Sequence, residues 1–253
     1  MKAKEIYQAQ FRFYEELNDF LPGYRRKVEF PYTFTGNPTV KDAIESIGVP
    51  HVEVDLILVN SKAVDFMYRI KDQDKISVYP VFEILDISEV QRLRAKPLRD
   101  PAFILDVHLG RLAKYLRLCG LDTRYEKDLT DREIVNISLS QNRAILTRDR
   151  GLLKTKEVTH GHWIRTSKPT EQLKEVLRSF DLLNSYHPFS RCLECNGVLV
   201  EVEKEEIDYM LPARTREYYR NFRKCPVCNR VYWEGSHYER MKKFLDNILG
   251  TSV

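Results

Sequence analysis

The 253-residue sequence lacks any apolar run near the length of about 18 residues that a membrane-spanning helix requires. Residues 1–5 lead into mixed polar sequence without the apolar region of a secretory signal peptide. Internal repeats and low-complexity tracts are also missing. Because 43% of the residues are hydrophobic and 31% are charged, the composition is that of a soluble globular protein. We expect a cytoplasmic location and no membrane partner.

Cysteine is scarce, and four of the five residues form two CxxC pairs, Cys192–Cys195 and Cys225–Cys228, separated by 29 residues. A redox CxxC would stand alone near the start of a βαβ unit, and paired disulfides would suit a secreted protein. Two CxxC pairs are instead typical of a tetrahedral zinc site, which four thiolates fill completely. We therefore predict structural Zn²⁺ at these cysteines. Cys119 lies in a helical pattern, and we expect a small buried hydrophobe there.

Charge is distributed unevenly along the chain. Residues 1–90 contain 11 basic and 15 acidic residues, whereas residues 91–189 contain 19 and 12. The remainder is nearly balanced, but residues 212–243 alone contain nine basic and three acidic residues. This asymmetry is compatible with a polyanionic partner such as nucleic acid, and also with an ordinary solvated basic face.

Residues 1–90 predict a hairpin over 8–34, then a helix, and then strands over 54–59 and 75–82. The helix begins with a capping box of Thr39 and Asp42 and ends at Gly48. This order resembles the β-grasp fold of ubiquitin-like and sulfur-carrier domains. Because no Gly-Gly pair ends the domain, we interpret it as a recognition domain for a protein partner, not as a conjugated carrier.

Residues 91–101 are charged, contain Pro97 and Pro101, and are interpreted as a linker. Residues 102–187 then alternate between strand and helix patterns, which predicts an α/β domain with a small parallel sheet. The predicted strands are 103–105, 123–125, 144–147 and 162–165, and the predicted helices are 109–119, 130–143 and 170–183. Residues 188–253 form the four-cysteine module with a C-terminal helix.

Two of the predicted strands end close to a carboxylate, Asp106 after the first and Asp149 after residues 144–147. Sites in parallel sheets form beyond the carboxyl ends of the strands, where hard oxygen ligands suit Mg²⁺ or Mn²⁺. Asp131, in the first turn of its helix, and Asp128, in the preceding loop, could complete the site. Each acid also has a structural interpretation as a cap, a turn former or a helix-dipole partner. His108 is assigned a structural or phosphate-contacting role and is not counted as a ligand.

Three phrases together resemble the mut-seven C-terminal RNase family: residues 106–113 (DVHLGRLA), 146–153 (LTRDRGLL) and 191–197 (RCLECNG). The resemblance covers essentially the whole chain. It implies a PIN-like nuclease fold with a treble-clef or zinc-ribbon-like module behind it. Many prokaryotic members of the family carry an N-terminal ubiquitin-like domain, in agreement with residues 1–90.

The resemblance further implies metal-dependent hydrolysis of RNA phosphodiester bonds. Asp106, Asp131 and Asp149 match three acids of PIN-like enzymes, and Asp128 is a substitute for a Glu without a clear counterpart. One or two Mg²⁺ or Mn²⁺ ions would activate water and stabilise charge on the phosphate. The residues expected to hold the RNA backbone are Arg111, Lys114, Arg148 and Arg150.

Around the second CxxC pair, basic residues alternate with aromatic residues, a pattern expected of proteins that bind single-stranded RNA. The cations expected to contact RNA are Arg214, Arg216, Arg220 and Arg223. The rings could instead pack the zinc module, and for Tyr232 and Trp233 this is the better interpretation. The alternative function is a non-catalytic RNA-binding or adaptor protein with a structural zinc.

Overall fold

The computed structural model describes residues 5–80, 101–183 and 186–249, without the side chain of Leu249. The predicted linker, apart from Pro101, and residues 81–90 of the predicted first domain lie outside these ranges. The chain divides into two compact units, of which the first comprises residues 1–100 with 147–163 and the second comprises 101–146 with 164–253. Within the described ranges, no helix is long and apolar enough to cross a membrane.

The first unit contains a five-stranded sheet in the order β2-β1-β5-β3-β4. Its strands are β1 (Ile6–Phe13), β2 (Phe30–Thr35), β3 (Val54–Val59), β4 (Lys62–Val64) and β5 (Lys75–Pro80). The central pair, β1 and β5, is parallel, whereas the other pairs are antiparallel. With one helix between β2 and β3, this arrangement is compatible with the β-grasp fold, as predicted. The short β4 was not predicted.

The helix of this sheet, α1 (Val40–Ile47), begins and ends as its sequence predicts. The backbone N–H of Asp42 donates to Thr39 Oγ1, and the backbone N–H of Thr39 donates to the Asp42 carboxylate, which completes the capping box. Gly48 ends the helix at a φ of 124°, a backbone conformation that glycine adopts without strain. Ala43 and Ile44 lie on the buried face of α1 within the core of the first unit.

The second sheet has the order β7-β6-β8-β9, with β6 (Ala102–Leu105), β7 (Thr123–Arg124), β8 (Arg143–Thr147) and β9 (Gly161–Trp163). Strand β6 pairs in parallel with both β7 and β8, which confirms the predicted parallel α/β architecture. The helices between these strands and after them are α2 (Gly110–Leu118), α3 (Asp131–Gln141), α4 (Arg150–Leu153) and α5 (Pro169–Ser179). Of these elements, α4 and β9 group with the first unit.

The four-cysteine module contains an antiparallel sheet in the order β10-β11-β12, formed by β10 (Val200–Val202), β11 (Phe222–Lys224) and β12 (Val231–Trp233). Its helices are α6 (Lys204–Ile207), α7 (Ala213–Tyr218) and α8 (Ser236–Leu249). Its small core consists of Ile207, Leu211 and Phe222, and Trp233 packs against it. The packing interpretation of Trp233 therefore agrees with the structure. Short 3₁₀ turns occur at Glu15–Phe20, Gly23–Arg25, His51–Glu53, Val107–Leu109 and Asp208–Met210.

Candidate metal centre and acidic strand ends

The four cysteines of the two CxxC pairs meet at one point. All four Sγ atoms lie within 4.8 Å of one another, with 3.5 Å between those of Cys192 and Cys228 and 3.3 Å between those of Cys195 and Cys225. Sulfurs bound at about 2.3 Å to a tetrahedral zinc would lie about 3.8 Å apart. All four are free thiols. The cluster therefore has the donor chemistry and the size of a structural zinc site.

The two CxxC loops repeat the same local structure because an asparagine follows each pair. The backbone N–H of Asn196 donates to Cys192 O over 3.0 Å, and that of Asn229 donates to Cys225 O over 2.9 Å. Both asparagines have a positive φ, 70° and 59°, a conformation that asparagine tolerates better than most residues. Each loop thereby turns its two sulfurs toward the same point.

The neighbouring thiols of the cluster have pKa values shifted in opposite directions. Burial alone would raise the pKa of Cys192, but hydrogen bonds from the Tyr232 hydroxyl, 3.0 Å from its Sγ, and from the backbone N–H groups of Cys195 and Glu194 lower this pKa to about 7. Burial and the other three sulfurs raise the pKa of Cys195 to about 12. A bound zinc ion would stabilise all four sulfurs as thiolates, because zinc binds thiolates and releases their protons.

Arg117, on α2, ties the first CxxC loop to the parallel sheet. Its Nη1 donates to the carbonyls of Leu193 and Glu194 over 3.1 and 2.7 Å, and its Nε donates to Thr123 O, in β7, over 2.9 Å. Arg117 is buried, and this burial lowers the pKa of its guanidinium. The first CxxC loop is thus a built part of the second unit and not a separate appendage.

Asp122 and Asn196 form a second link between the same elements. The Asp122 carboxylate accepts hydrogen bonds from Arg143 over 2.6 Å and from Asn196 Nδ2 over 2.8 Å, and it lies 3.4 Å from Arg191. Asn196 Oδ1 in turn accepts from the backbone N–H of Thr123. Neither residue was predicted from the sequence. An asparagine after each CxxC pair was the available signal for Asn196.

Asp106 directly follows β6 and is buried, unlike the exposed Asp128, Asp131 and Asp149. Its backbone N–H donates to Leu146 O, in β8, over 3.1 Å, so it continues the pairing of the two strands. Its carbonyl accepts from the N–H of Leu109 and begins the 3₁₀ turn that leads into α2.

Tyr125 holds this turn in place, because its hydroxyl donates to Val107 O over 2.9 Å. Gly110 makes room for the ring: a Cβ at this position would lie 2.6 Å from the Tyr125 hydroxyl oxygen. Glycine therefore occupies the first position of α2 for a steric reason. Gly110, part of the sequence phrase of residues 106–113, thus allows Tyr125 to hold the turn that follows Asp106.

Asp131 is the first residue of α3, and Asp128 lies in the loop before it. The predicted capping box is present, since Thr130 accepts from Glu133 N–H over 3.3 Å and Glu133 Oε2 accepts from Thr130 N–H over 2.8 Å. Within the described ranges, the four cysteines are the only group of three or more potential ligands. The carboxylates of Asp106, Asp128 and Asp131 are not gathered into such a group in the second unit.

Asp149 caps the short helix α4, because its Oδ1 accepts from the N–H of Gly151 over 2.7 Å. Its own N–H donates to Thr147 Oγ1 over 2.8 Å. The interpretation of Asp149 as a cap is therefore part of its role. By the division into compact units, Asp149 belongs to the first unit and the other three acids to the second.

The predicted RNA-contacting cations of the nuclease region differ in their surroundings. Arg111 and Arg148 are exposed. Lys114 forms an ion pair of 2.9 Å with Glu194 of the first CxxC loop. Arg150 is half-buried, and its guanidinium lies over the rings of Trp163 and Phe20. Two of the four cations thus have protein partners within their own unit.

Two of the predicted cations of the four-cysteine module, Arg220 and Arg223, line a cavity of about 600 Å³. Arg223 donates to Phe189 O over 3.2 Å and lies 3.7 Å from Glu201, whereas Arg216 lies 3.3 Å from Asp208, outside the cavity. Arg214 and Arg220 are exposed. The charged residues that line the cavity are of both signs, namely Arg191, Arg220, Arg223, Glu201, Glu203 and Glu234. Charge in this cavity therefore does not favour a polyanion.

Comparison with protein families adds information that the geometry does not carry. The profile of the Mut7-C RNAse domain matches residues 101–245, and that of the Mut7-C ubiquitin domain matches residues 6–86. No curated protein and no solved structure matches the chain. The RNAse-domain match covers more than half of the chain and includes the acidic strand ends and all four clustered cysteines. The chain therefore belongs to the Mut7-C RNAse domain family and carries the Mut7-C ubiquitin domain before it.

Proposed function

We propose that the protein is a metal-dependent ribonuclease with a PIN-like nuclease domain over residues 102–187. One observation carries the proposal: residues 101–245 match the Mut7-C RNAse domain. The strand pairing supports it, because β6 and β8 are parallel neighbours in which Leu105 pairs with Leu146. Asp106 follows the first of these strands and Asp149 the second, at the edge where sites in parallel sheets form.

Carboxylate oxygens at these strand ends are hard ligands, which suit Mg²⁺ or Mn²⁺ better than zinc. Asp106 and Asp149 would hold such an ion. Asp131, and Asp128 as a substitute for the missing Glu, are further candidates for the site. The ion would supply charge stabilisation for the phosphate and an activated water. The exposed Arg111 and Arg148 would bind the RNA backbone, joined by Lys114 where it leaves Glu194.

The cysteine cluster takes a different role in this proposal. Its four thiolates leave no open coordination position, so zinc there would stabilise the fold and not hydrolyse RNA. The exposed Arg214 and Arg220 extend the RNA-binding surface to this module, with Arg216 and Arg223 beside them. Reduced thiols of this kind fit the cytoplasm. The ubiquitin-like domain would bind a protein partner.

The test is cleavage of single-stranded and structured RNA in Mg²⁺ or Mn²⁺ by the wild type and by Asp106→Asn and Asp149→Asn. We expect each variant to lose about 100-fold or more in rate, because a lost ligand charge removes several kcal/mol of transition-state stabilisation. Asparagine at position 149 can still accept the Gly151 hydrogen bond, so the cap of α4 is retained.

Asp181→Asn is the matched control. Asp181 is exposed and has a φ of 50°, which asparagine tolerates, so this variant should cleave RNA as the wild type does. Equal cleavage by the wild type and both acid variants would indicate a contaminating nuclease and would overturn the proposal. Binding of RNA without cleavage would favour the non-catalytic RNA-binding or adaptor protein.

A further inference from the structure

The segment of residues 147–163, which begins with the last residue of β8, packs with the ubiquitin-like domain in the first unit. We call it the Asp149 segment. It contains only two short elements, the four-residue α4 and the three-residue β9. Such short elements supply few internal hydrogen bonds. The conformation of the backbone on either side of Asp149 therefore depends on what the segment packs against.

Arg150, the residue after Asp149, lies against two aromatic rings that also contact each other. Its Cζ lies 4.0 Å from the ring centroid of Trp163 and 5.0 Å from that of Phe20, a residue of the ubiquitin-like domain. Its Nη2 also donates to Asp19 O over 3.3 Å. A guanidinium at these distances over aromatic rings makes a favourable cation–π contact. Arg150 thus connects the backbone beside Asp149 directly to the ubiquitin-like domain.

Trp163, at the other end of the segment, contacts both Phe20 and the backbone beside Asp149. Its ring centroid lies 5.0 Å from that of Phe20, and its Nε1 donates to Arg148 O over 3.1 Å. Arg148 and Arg150 flank Asp149 in the chain. The backbone on both sides of the carboxylate is therefore held by contacts that include a ring of the ubiquitin-like domain.

Two buried polar groups of the ubiquitin-like domain fix the rest of the segment. His51 is 6% exposed; its Nε2 lies 2.8 Å from Val158 O, and its Nδ1 lies 2.6 Å from the Glu45 carboxylate. Lys154 Nζ donates to Glu45 O over 3.1 Å. A buried imidazole with a partner on each nitrogen is costly to displace, because both partners would lose their hydrogen bonds.

Glu53, the second buried group, is 4% exposed. Its Oε1 accepts a hydrogen bond from the backbone N–H of Trp163 over 2.5 Å, and its Oε2 lies 3.5 Å from His162 Nδ1. A buried carboxylate needs such partners, so the C-terminal end of the segment is held by polar contacts as well as by packing.

We propose that the ubiquitin-like domain positions Asp149 for the nuclease reaction, with Arg150 as the positioning residue, so that the site is incomplete without this domain. The proposal rests on the ribonuclease function proposed above. It gives Arg150 a role in holding the backbone beside Asp149, in place of the phosphate contact that the sequence suggested. Phe20, more than 100 residues away in the chain, contributes to the same positioning of Asp149 through its contact with Arg150.

The test compares Arg150→Gln, Arg150→Lys and Phe20→Leu in the full chain, with Arg25→Gln as the matched control. The Arg25 guanidinium lies 4.8 Å from the ring centroid of Phe30 within the same domain, so its loss removes a cation–π contact that does not involve the Asp149 segment. Three quantities are measured for each protein: amide hydrogen exchange over residues 147–163, affinity for single-stranded RNA, and kcat and KM of RNA cleavage.

We expect Arg150→Gln and Phe20→Leu to speed exchange in the segment and to lower kcat about tenfold or more, because a misplaced catalytic group reduces the rate without altering binding. KM and RNA affinity should stay within about twofold of the wild type for a residue that does not touch RNA. Arg150→Lys retains the cation and should recover part of the rate. Arg25→Gln should match the wild type.

The opposite pattern would overturn the proposal. If Arg150→Gln weakens RNA binding and reduces its salt dependence by about one counterion while Phe20→Leu does not, Arg150 contacts phosphate. Unchanged hydrogen exchange in both variants would show that the contacts of Arg150 with Phe20 and Trp163 do not hold the segment. The hydrogen-exchange measurement needs no RNA cleavage, so it tests these contacts even if the protein proves not to be a ribonuclease. Should Phe20→Leu unfold the protein, the half-buried Arg150 provides the same test without a change in the core.

Discussion

At the scale of single residues, Asp122 makes stability depend on pH. Burial alone would raise the pKa of its carboxyl group, but Arg143, Asn196 and Arg191 together lower this pKa. A carboxyl group whose pKa is lowered in the folded state stabilises the fold at pH values above its pKa in the unfolded chain, which is about 3.9 for aspartate. That contribution is lost as the pH falls through the folded pKa. We therefore expect the stability of the wild type to decline in acid, below about pH 4, more steeply than that of Asp122→Asn.

At neutral pH, Asp122→Asn should destabilise the protein by about 1 to 3 kcal/mol, because hydrogen bonds to a charged group are lost. Thermal unfolding of both proteins at a series of pH values checks this, with Asp181→Asn as the exposed control. Parallel stability curves of the wild type and Asp122→Asn would contradict the expectation.

At the scale of elements, Gly120 follows the C-terminal end of helix α2 and has a φ of 84°. A Cβ there would lie 2.0 Å from His187 O and 2.5 Å from Ser190 Oγ, so no side chain fits unless the backbone moves. We expect Gly120→Ala to destabilise the protein by about 1 to 3 kcal/mol or more, the usual cost of strain at such a position. The thermal midpoint should then fall by about 2 to 4 °C for each kcal/mol.

Gly23→Ala is the control for this prediction, because no atom lies within 4 Å of a Cβ at position 23 and its φ is not in the left-handed region. It should change the midpoint little. An equal shift in both variants would mean that the loss of glycine, and not the contact with residues 187–190, sets the cost.

At the scale of the whole molecule, the predicted zinc joins segments far apart in the chain. We expect one zinc per chain in protein purified without chelator, and loss of both the metal and the fold of the cysteine module in Cys195→Ser. Structural zinc sites bind with about 10 to 16 kcal/mol near neutral pH, so no other contact of so small a module can replace the ion. Metal analysis and thermal unfolding, with and without chelator, measure both effects.

Cys119→Ala separates loss of a ligand from loss of a thiol. Cys119 is buried, and burial raises the pKa of its thiol to about 12, so it stays a neutral hydrophobe. This variant should retain its zinc. A zinc content near zero in the wild type would refute the assignment of the cysteine cluster.

Several features followed from short-range patterns along the chain. The two capping boxes, Thr39 with Asp42 and Thr130 with Glu133, were predictable because each consists of hydrogen bonds between residues three apart. Each CxxC pair was recognisable because the spacing of its two cysteines is local. Strands β3 and β6 were predictable from their continuous apolar runs, since a central strand buries both faces. In all these cases the signal used for the prediction lies in residues that are close neighbours in the sequence.

Other features depend on residues that only the folded chain brings together. The three-residue β4 has no periodicity to detect, and it exists because it pairs with β3. Arg150 carries the same charge as Arg111, but Phe20 and Trp163 give it a different environment. The role of Asp122 depends on Arg143 and Asn196, which hydrogen-bond to its carboxylate in the folded chain. Charge and residue type belong to the sequence, whereas the partners that determine their effect come from contacts that form only in the folded chain.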